Sequence, residues 1–132
     1  MEYTKEKLEA SLRTATNCCQ ISVFEPGKNG YVYFQIPIHE SINGSVHYEL
    51  HKGKMNLHFE SDGYESLIKD IKEFIDNNKS FETISSPCGG RFGCEFKQKI
   101  CATDVVQITE IFKQMFDIIN PIVEKHLEKI VS

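Results

Sequence analysis

The chain contains no apolar run approaching the ~18 residues that a membrane-spanning helix needs, and no internal repeat or low-complexity stretch divides it. It also lacks a surplus of charge of one sign: 15 basic against 19 acidic side chains leave a net of −4. Proteins that coat a nucleic-acid backbone draw their affinity from neutralised phosphates, so this balance argues against that role. No Gly-Lys-Ser/Thr occurs, which excludes a P-loop. Cys88, Cys94 and Cys101 stand too far apart for the close Cys pairs of zinc sites. The opening residues Met1 to Lys7 are charged and carry no apolar segment of a secretory signal. The expectation is therefore a cytoplasmic protein whose five cysteines, an odd number, stay reduced.

What is present suits one ordinary globular domain. A length of 132 residues leaves no room for a second core, so residues 1–132 are expected to form a single α+β unit. Thr4 is placed to cap a helix running to about Thr16, with Leu8, Leu12 and Ala15 on one stripe. Alternation over Cys19 to Val23 predicts a strand. Tyr31 to Ile38 predicts another, with bulk on both faces as in a central strand, and Pro37 putting its far end at an edge or bulge. Asp62 and Glu65 open a helix that ends near Asn77 and buries Leu67, Ile68, Ile71, Phe74 and Ile75. Phe81 to Ser85 and Phe92 to Ile100 form a second strand pair, with Cys94 facing inward. Thr103 caps a long C-terminal helix that Asn120-Pro121 is expected to kink or break. The fold class that follows is an antiparallel β-meander whose apolar face is packed by helices.

Residues 45–60 carry the clearest signal. With Lys52-Gly53 as a two-residue turn, Val46 meets Phe59, His47 meets His58, Tyr48 meets Leu57, Glu49 meets Asn56 and Leu50 meets Met55. One face is then wholly apolar and the other wholly polar, and a one-residue slip would mix them. The polar face is expected to be solvated. Directly opposed side chains sit ~5 Å apart, so His47, His58, Glu49 and Glu60 are also the candidate ligands of a zinc-class ion.

Two other constellations compete with it. Glu82 followed by Glu95-Phe96-Lys97 has the carboxylate and Glu-x-Lys pattern by which nucleases hold Mg²⁺ and place a lysine near the attacking water. The tip at residues 87–93 offers Arg91 and Phe92 as anchors for a partner protein. The last helix has a wider apolar arc than one sheet face needs, and Phe116, Ile119, Val123 and Ile130 would form a homodimer seam along it.

The order of elements resembles that of small uncharacterised domains that accompany nuclease domains in restriction and phage-defence proteins. The hairpin Val46–Phe59, the segments Tyr64–Asp76 and Phe92–Ile100, and the helix over Val106–Leu127 carry the resemblance. It implies an accessory role with the chemistry elsewhere. The expected function is therefore a non-catalytic protein-interaction module of a prokaryotic or phage system, with no cofactor and no membrane contact, and with nucleic acid an unfavoured but open alternative to a protein partner. The alternative is a metal-dependent hydrolase or nuclease.

Overall fold

The computed structural model describes residues 4–24, 32–42, 46–51, 53–60, 63–84 and 92–131. Its first element is α1 (Lys5–Thr16). The Thr4 hydroxyl accepts from the Lys7 N–H and closes its first turn, and Asn17 in the left-handed region ends it, donating back to Arg13 and Thr14 carbonyls. The expected strand at Cys19 to Val23 does not form. Its backbone is bound by α1 instead: Arg13 Nε donates to the Ile21 carbonyl at 2.8 Å, and the Val23 N–H donates to Glu9 Oε2 at 2.9 Å. Side chains of α1 thus take the groups a ladder would have used.

Among the described residues, five strands form one antiparallel sheet: β1 (Val32–Pro37), β2 (Val46–His51), β3 (Lys54–Phe59), β4 (Phe81–Ile84) and β5 (Phe92–Phe96), in the order β1-β2-β3-β5-β4. β1 is an edge strand, not a central one, although Phe24 exchanges two backbone hydrogen bonds of 2.8 Å with Gln35 on it. The β2–β3 register is the expected one at every pair from Val46–Phe59 to His51–Lys54. Gly53 turns the hairpin at φ 79, where a side chain is disfavoured, and its carbonyl accepts from the Ile100 N–H at 2.7 Å. From β3 the chain crosses through α2 (Glu65–Ile75) to the far edge strand β4, then returns as β5 between β4 and β3.

Leu67, Ile71 and Ile75 of α2 enter the core as expected, but Phe74 is 52 % exposed. The helical turn carries it off the buried stripe, which is too narrow to hold it. Asp62, the expected cap, lies outside the described residues, and Tyr64 at the N-cap position makes no side-chain capping bond. The long α3 (Val105–Val131) is capped by Asp104 instead of Thr103: the Gln107 N–H donates to Asp104 Oδ1 at 3.1 Å. It runs continuously through Pro121, whose ring faces the exposed side. Packing on both sides of the proline holds the helix: Met115, Phe116, Ile119 and Val123 are all buried.

The core lies between the helices and the face of the sheet that carries Phe34, Ile36, Val46, Tyr48, Leu50, Met55, Leu57, Phe59, Cys94 and Phe96. Tyr48 meets Phe112 edge-on at 5.0 Å between ring centroids, and Phe112 stacks on Phe116. This packing corrects the homodimer seam. Phe116, Ile119 and Val123 are consumed by the chain's own core, and the Ile130 side chain lies outside what is described. The arc is wide because α3 touches the sheet and also α1 and α2, with Ser11 Oγ and Thr109 Oγ1 2.8 Å apart across the α1 contact. No helix among the described residues is long and apolar enough to cross a membrane.

Candidate metal centre

Strand alternation puts His47, Glu49, Asn56 and His58 on the sheet face opposite Tyr48 and Leu57, and the expectation for that face was solvent. The structure overturns it. Relative exposure is 4 % for His47, 1 % for Glu49 and 0 % for both Asn56 and His58. Both faces of the hairpin are therefore buried. Alternation within one hairpin separates the faces but carries no information about what tertiary structure covers each of them.

One donor atom from each of His47, Glu49 and His58 lies within 4.8 Å of the others. The imidazoles face each other edge-on with ring centroids 4.5 Å apart. His58 Nδ1 stands 3.3 Å from Glu49 Oε2, and His47 Nε2 stands 4.0 Å from Glu49 Oε1. Ligands bound at ~2.0–2.1 Å around a tetrahedral zinc lie roughly 3.3 Å from one another. The His58–Glu49 spacing matches that value and exceeds the 2.7–3.2 Å range usual for N–H···O bonds. The His47–Glu49 spacing is wider and needs a small side-chain movement to close.

The surroundings orient this set. Gln35 Nε2 donates to Glu49 Oε1 at 3.1 Å and fixes the carboxylate plane, leaving Oε2 turned toward His58. The other nitrogen of His58, Nε2, lies 3.3 Å from Glu60 Oε1. A metal-bound imidazole almost always gives its second N–H to a carboxylate, which sets its tautomer and raises its basicity. Glu60, 29 % exposed at its side chain, is the carboxylate nearest that nitrogen and lies outside the group of three donors. Asn56 sits opposite Glu49 in the register. Its buried amide has no hydrogen-bond partner on either atom among the described residues. A buried carboxamide in that condition costs about 1–3 kcal/mol per unmet group unless a water or an ion satisfies it.

The nuclease constellation is described only in part. Glu95 lies on the polar face and reaches Lys54, Oε1 to Nζ at 3.5 Å. β5 ends at Phe96, and Lys97 leaves the strand to line a groove with Ile75, Asp76 and Phe81 at the end of α2. Glu82 pairs with Glu95 in the backbone register, and its side chain lies outside what is described. Arg91 also lies outside the described residues. Phe92, the other expected partner anchor, is buried against Phe59 at 6.0 Å between centroids. β5 carries it to the helix side of the sheet, where Phe59 already lies.

The thiols fall into two kinds. Cys94 is a core residue, as alternation predicted, and burial pushes its thiol up to about 12. Cys101 is exposed, with Sγ 3.1 Å from Thr103 Oγ1, a contact that lowers its pKa. Sequence reasoning missed three parts of the site: the orienting role of Gln35, the buried Asn56 and the outward role of Glu60. Gln35 alone had a signal, its place in strand alternation beside Pro37. Comparison with known protein families, curated proteins and solved structures finds no match for this chain.

Proposed function

We propose that this chain is a metal-holding module in which His47, His58 and Glu49 bind one divalent ion of the zinc class. The observation that carries the reading is His58, whose ring lies between a buried carboxylate at Nδ1 and a partly exposed one at Nε2. That arrangement presents one nitrogen to an ion and holds the other in place. Two imidazoles and a carboxylate are a borderline donor set that suits zinc better than magnesium or calcium, which take oxygen ligands. The near-complete burial of all three donors leaves no position open to a large substrate, and with three protein donors a water would complete the tetrahedron.

The test is metal analysis of purified protein dialysed against zinc. One equivalent per chain is expected, falling to background in Glu49→Gln and in the double variant His47→Gln/His58→Gln. Folded protein that retains no metal after loading overturns the reading.

A second reading keeps the expected interaction module of a prokaryotic or phage defence system. Phe74 favours it: this residue is half exposed beside a groove that it lines with Ile122 and Lys125. Phe74→Ser would weaken capture of a native partner without changing metal content, whereas unchanged capture discards Phe74 as an anchor.

A further inference from the structure

The β2–β3 register sets His47, His58, Glu49 and Asn56 at the corners of one rectangle on the buried polar face: His47 opposes His58, and Glu49 opposes Asn56. Three of those corners supply the donors His47, Glu49 and His58. A tetrahedral ion takes four, and the last comes from water unless another side chain reaches it. Asn56 holds the remaining corner. Opposed side chains on a sheet stand about 5 Å apart at Cβ, so its amide is within reach of an ion bound to Glu49.

The hydrogen bonding of Asn56 points the same way. It stands in the ladder between two carboxylates, Glu49 on β2 and Glu95 on β5. An amide NH₂ so placed ordinarily donates to one of them. Yet neither Oδ1 nor Nδ2 has a hydrogen-bond partner among the described residues, and the side chain is 0 % exposed. Both carboxylates are turned to other groups: Glu49 to Gln35 and His58, and Glu95 to Lys54. A buried amide out of reach of solvent and of its neighbours is explained by a partner of another kind. An ion held by the other three corners is that partner for Oδ1, the amide atom with lone pairs to give.

We propose that Asn56 Oδ1 is the fourth ligand, so that His47, His58, Glu49 and Asn56 enclose the ion without a bound water. This inference rests on the metal reading above. Two nitrogens and two oxygens then surround a divalent ion, and Glu49 is the one charged ligand among them. Such a centre accepts a second carboxylate in place of the amide, and it has no corner to offer a small anion from solution.

The test is zinc titration of the full chain with ¹³C-labelled asparagine, the Asn56 side chain being assigned through its own backbone. The Asn56 carboxamide resonance should move up to one equivalent of zinc, while those of Asn17 and Asn120 stay fixed. Asn56→Asp keeps an oxygen at the same reach and should bind zinc at least as tightly as the parent. Asn56→Leu, similar in size and without a donor, should bind at least about tenfold more weakly, the least that loss of an outer orienting group costs. In cobalt-loaded protein, azide should leave the visible spectrum of the parent unchanged and alter that of Asn56→Leu. An amide that only donates to Glu49 predicts the reverse for Asn56→Asp, because a carboxylate there loses the donor and repels Glu49. A parent that takes up zinc with its Asn56 resonance unmoved, or that responds to azide, or an Asn56→Asp variant weakened as much as Asn56→Leu, overturns this inference and leaves the metal reading standing. A parent that takes up no zinc overturns both.

Discussion

His47 and His58 face each other across the β2–β3 hairpin, edge to face, with ring centroids 4.5 Å apart and a buried carboxylate within 4.0 Å of both. If an ion joins them, it binds the folded hairpin and not the unfolded chain, so its binding energy adds to stability. At a free concentration a hundredfold above the dissociation constant the gain is about 2.7 kcal/mol. Removing the ion with a chelator should lower Tm by roughly 5–15 °C for a domain of this size. The melt is read by circular dichroism, with chelator added to Glu49→Gln as the control. An equal shift in that variant would show that the chelator acts elsewhere.

Glu60 separates an orienting role from a ligating one. Because it contacts Nε2 of His58 and lies outside the three-donor set, Glu60→Gln should retain one equivalent of zinc and bind it about 10- to 100-fold more weakly. Glu49→Gln should lose stoichiometric binding altogether. Competition against a chromophoric chelator gives both values, and equal losses in the two variants would place Glu60 among the ligands.

Two buried groups set the alkaline limit. Burial raises the pKa values of both Cys94, up to about 12, and Tyr48. Below the ordinary thiol value of 9.0 neither group is ionised in either state, and their contribution to stability is fully present. As pH rises past 9.0, the thiol ionises in the unfolded chain but stays protonated in the folded one until about 12, so stability falls across that window. The slope approaches about 1.4 kcal/mol per pH unit for a single group. Urea midpoints of Cys94→Ala should start lower near neutrality but decline less steeply above pH 9. Curves that run parallel to those of the parent would refute this.

Phe112 ties the long helix to the sheet through Tyr48 and to its own next turn through Phe116. Phe112→Ala removes a fully buried ring from that junction, and a loss of about 3–5 kcal/mol is expected in denaturant titrations. A loss under about 1 kcal/mol would mean that the helix and the sheet repack around the gap.

The sequence disclosed those parts of the fold that local chemistry governs. Residues 46–59 were legible pair by pair, because only one register separates Tyr48 and Leu57 from His47 and His58. Thr4 and Asn17 mark the ends of α1 by capping chemistry that acts within a few residues. The rest depends on distant partners. Cys19 to Val23 alternates like a strand, yet Glu9 and Arg13 of α1 claim its backbone. Phe116 and Ile119 read as surplus apolar surface because nothing in α3 announces that α1 and α2 flank it. At the site, the identities and pairing of His47, Glu49 and His58 were readable, whereas their burial was not. The role of Glu60 also required coordinates, since it depends on which imidazole nitrogen the carboxylate reaches.

The contact between Phe24 and Gln35 also bears on how copies of this chain behave in a crowded solution. An open strand edge is a template on which further chains can stack. β1, at one margin of the sheet, has that edge partly occupied by the paired hydrogen bonds to Phe24, and Pro37 at its end has no N–H to offer a newcomer. The opposite margin, β4, is only four residues long, a short footing for edge-on growth. Loosening Phe24 from Gln35 would therefore expose the longer of the two margins, and aggregation would be expected to begin there.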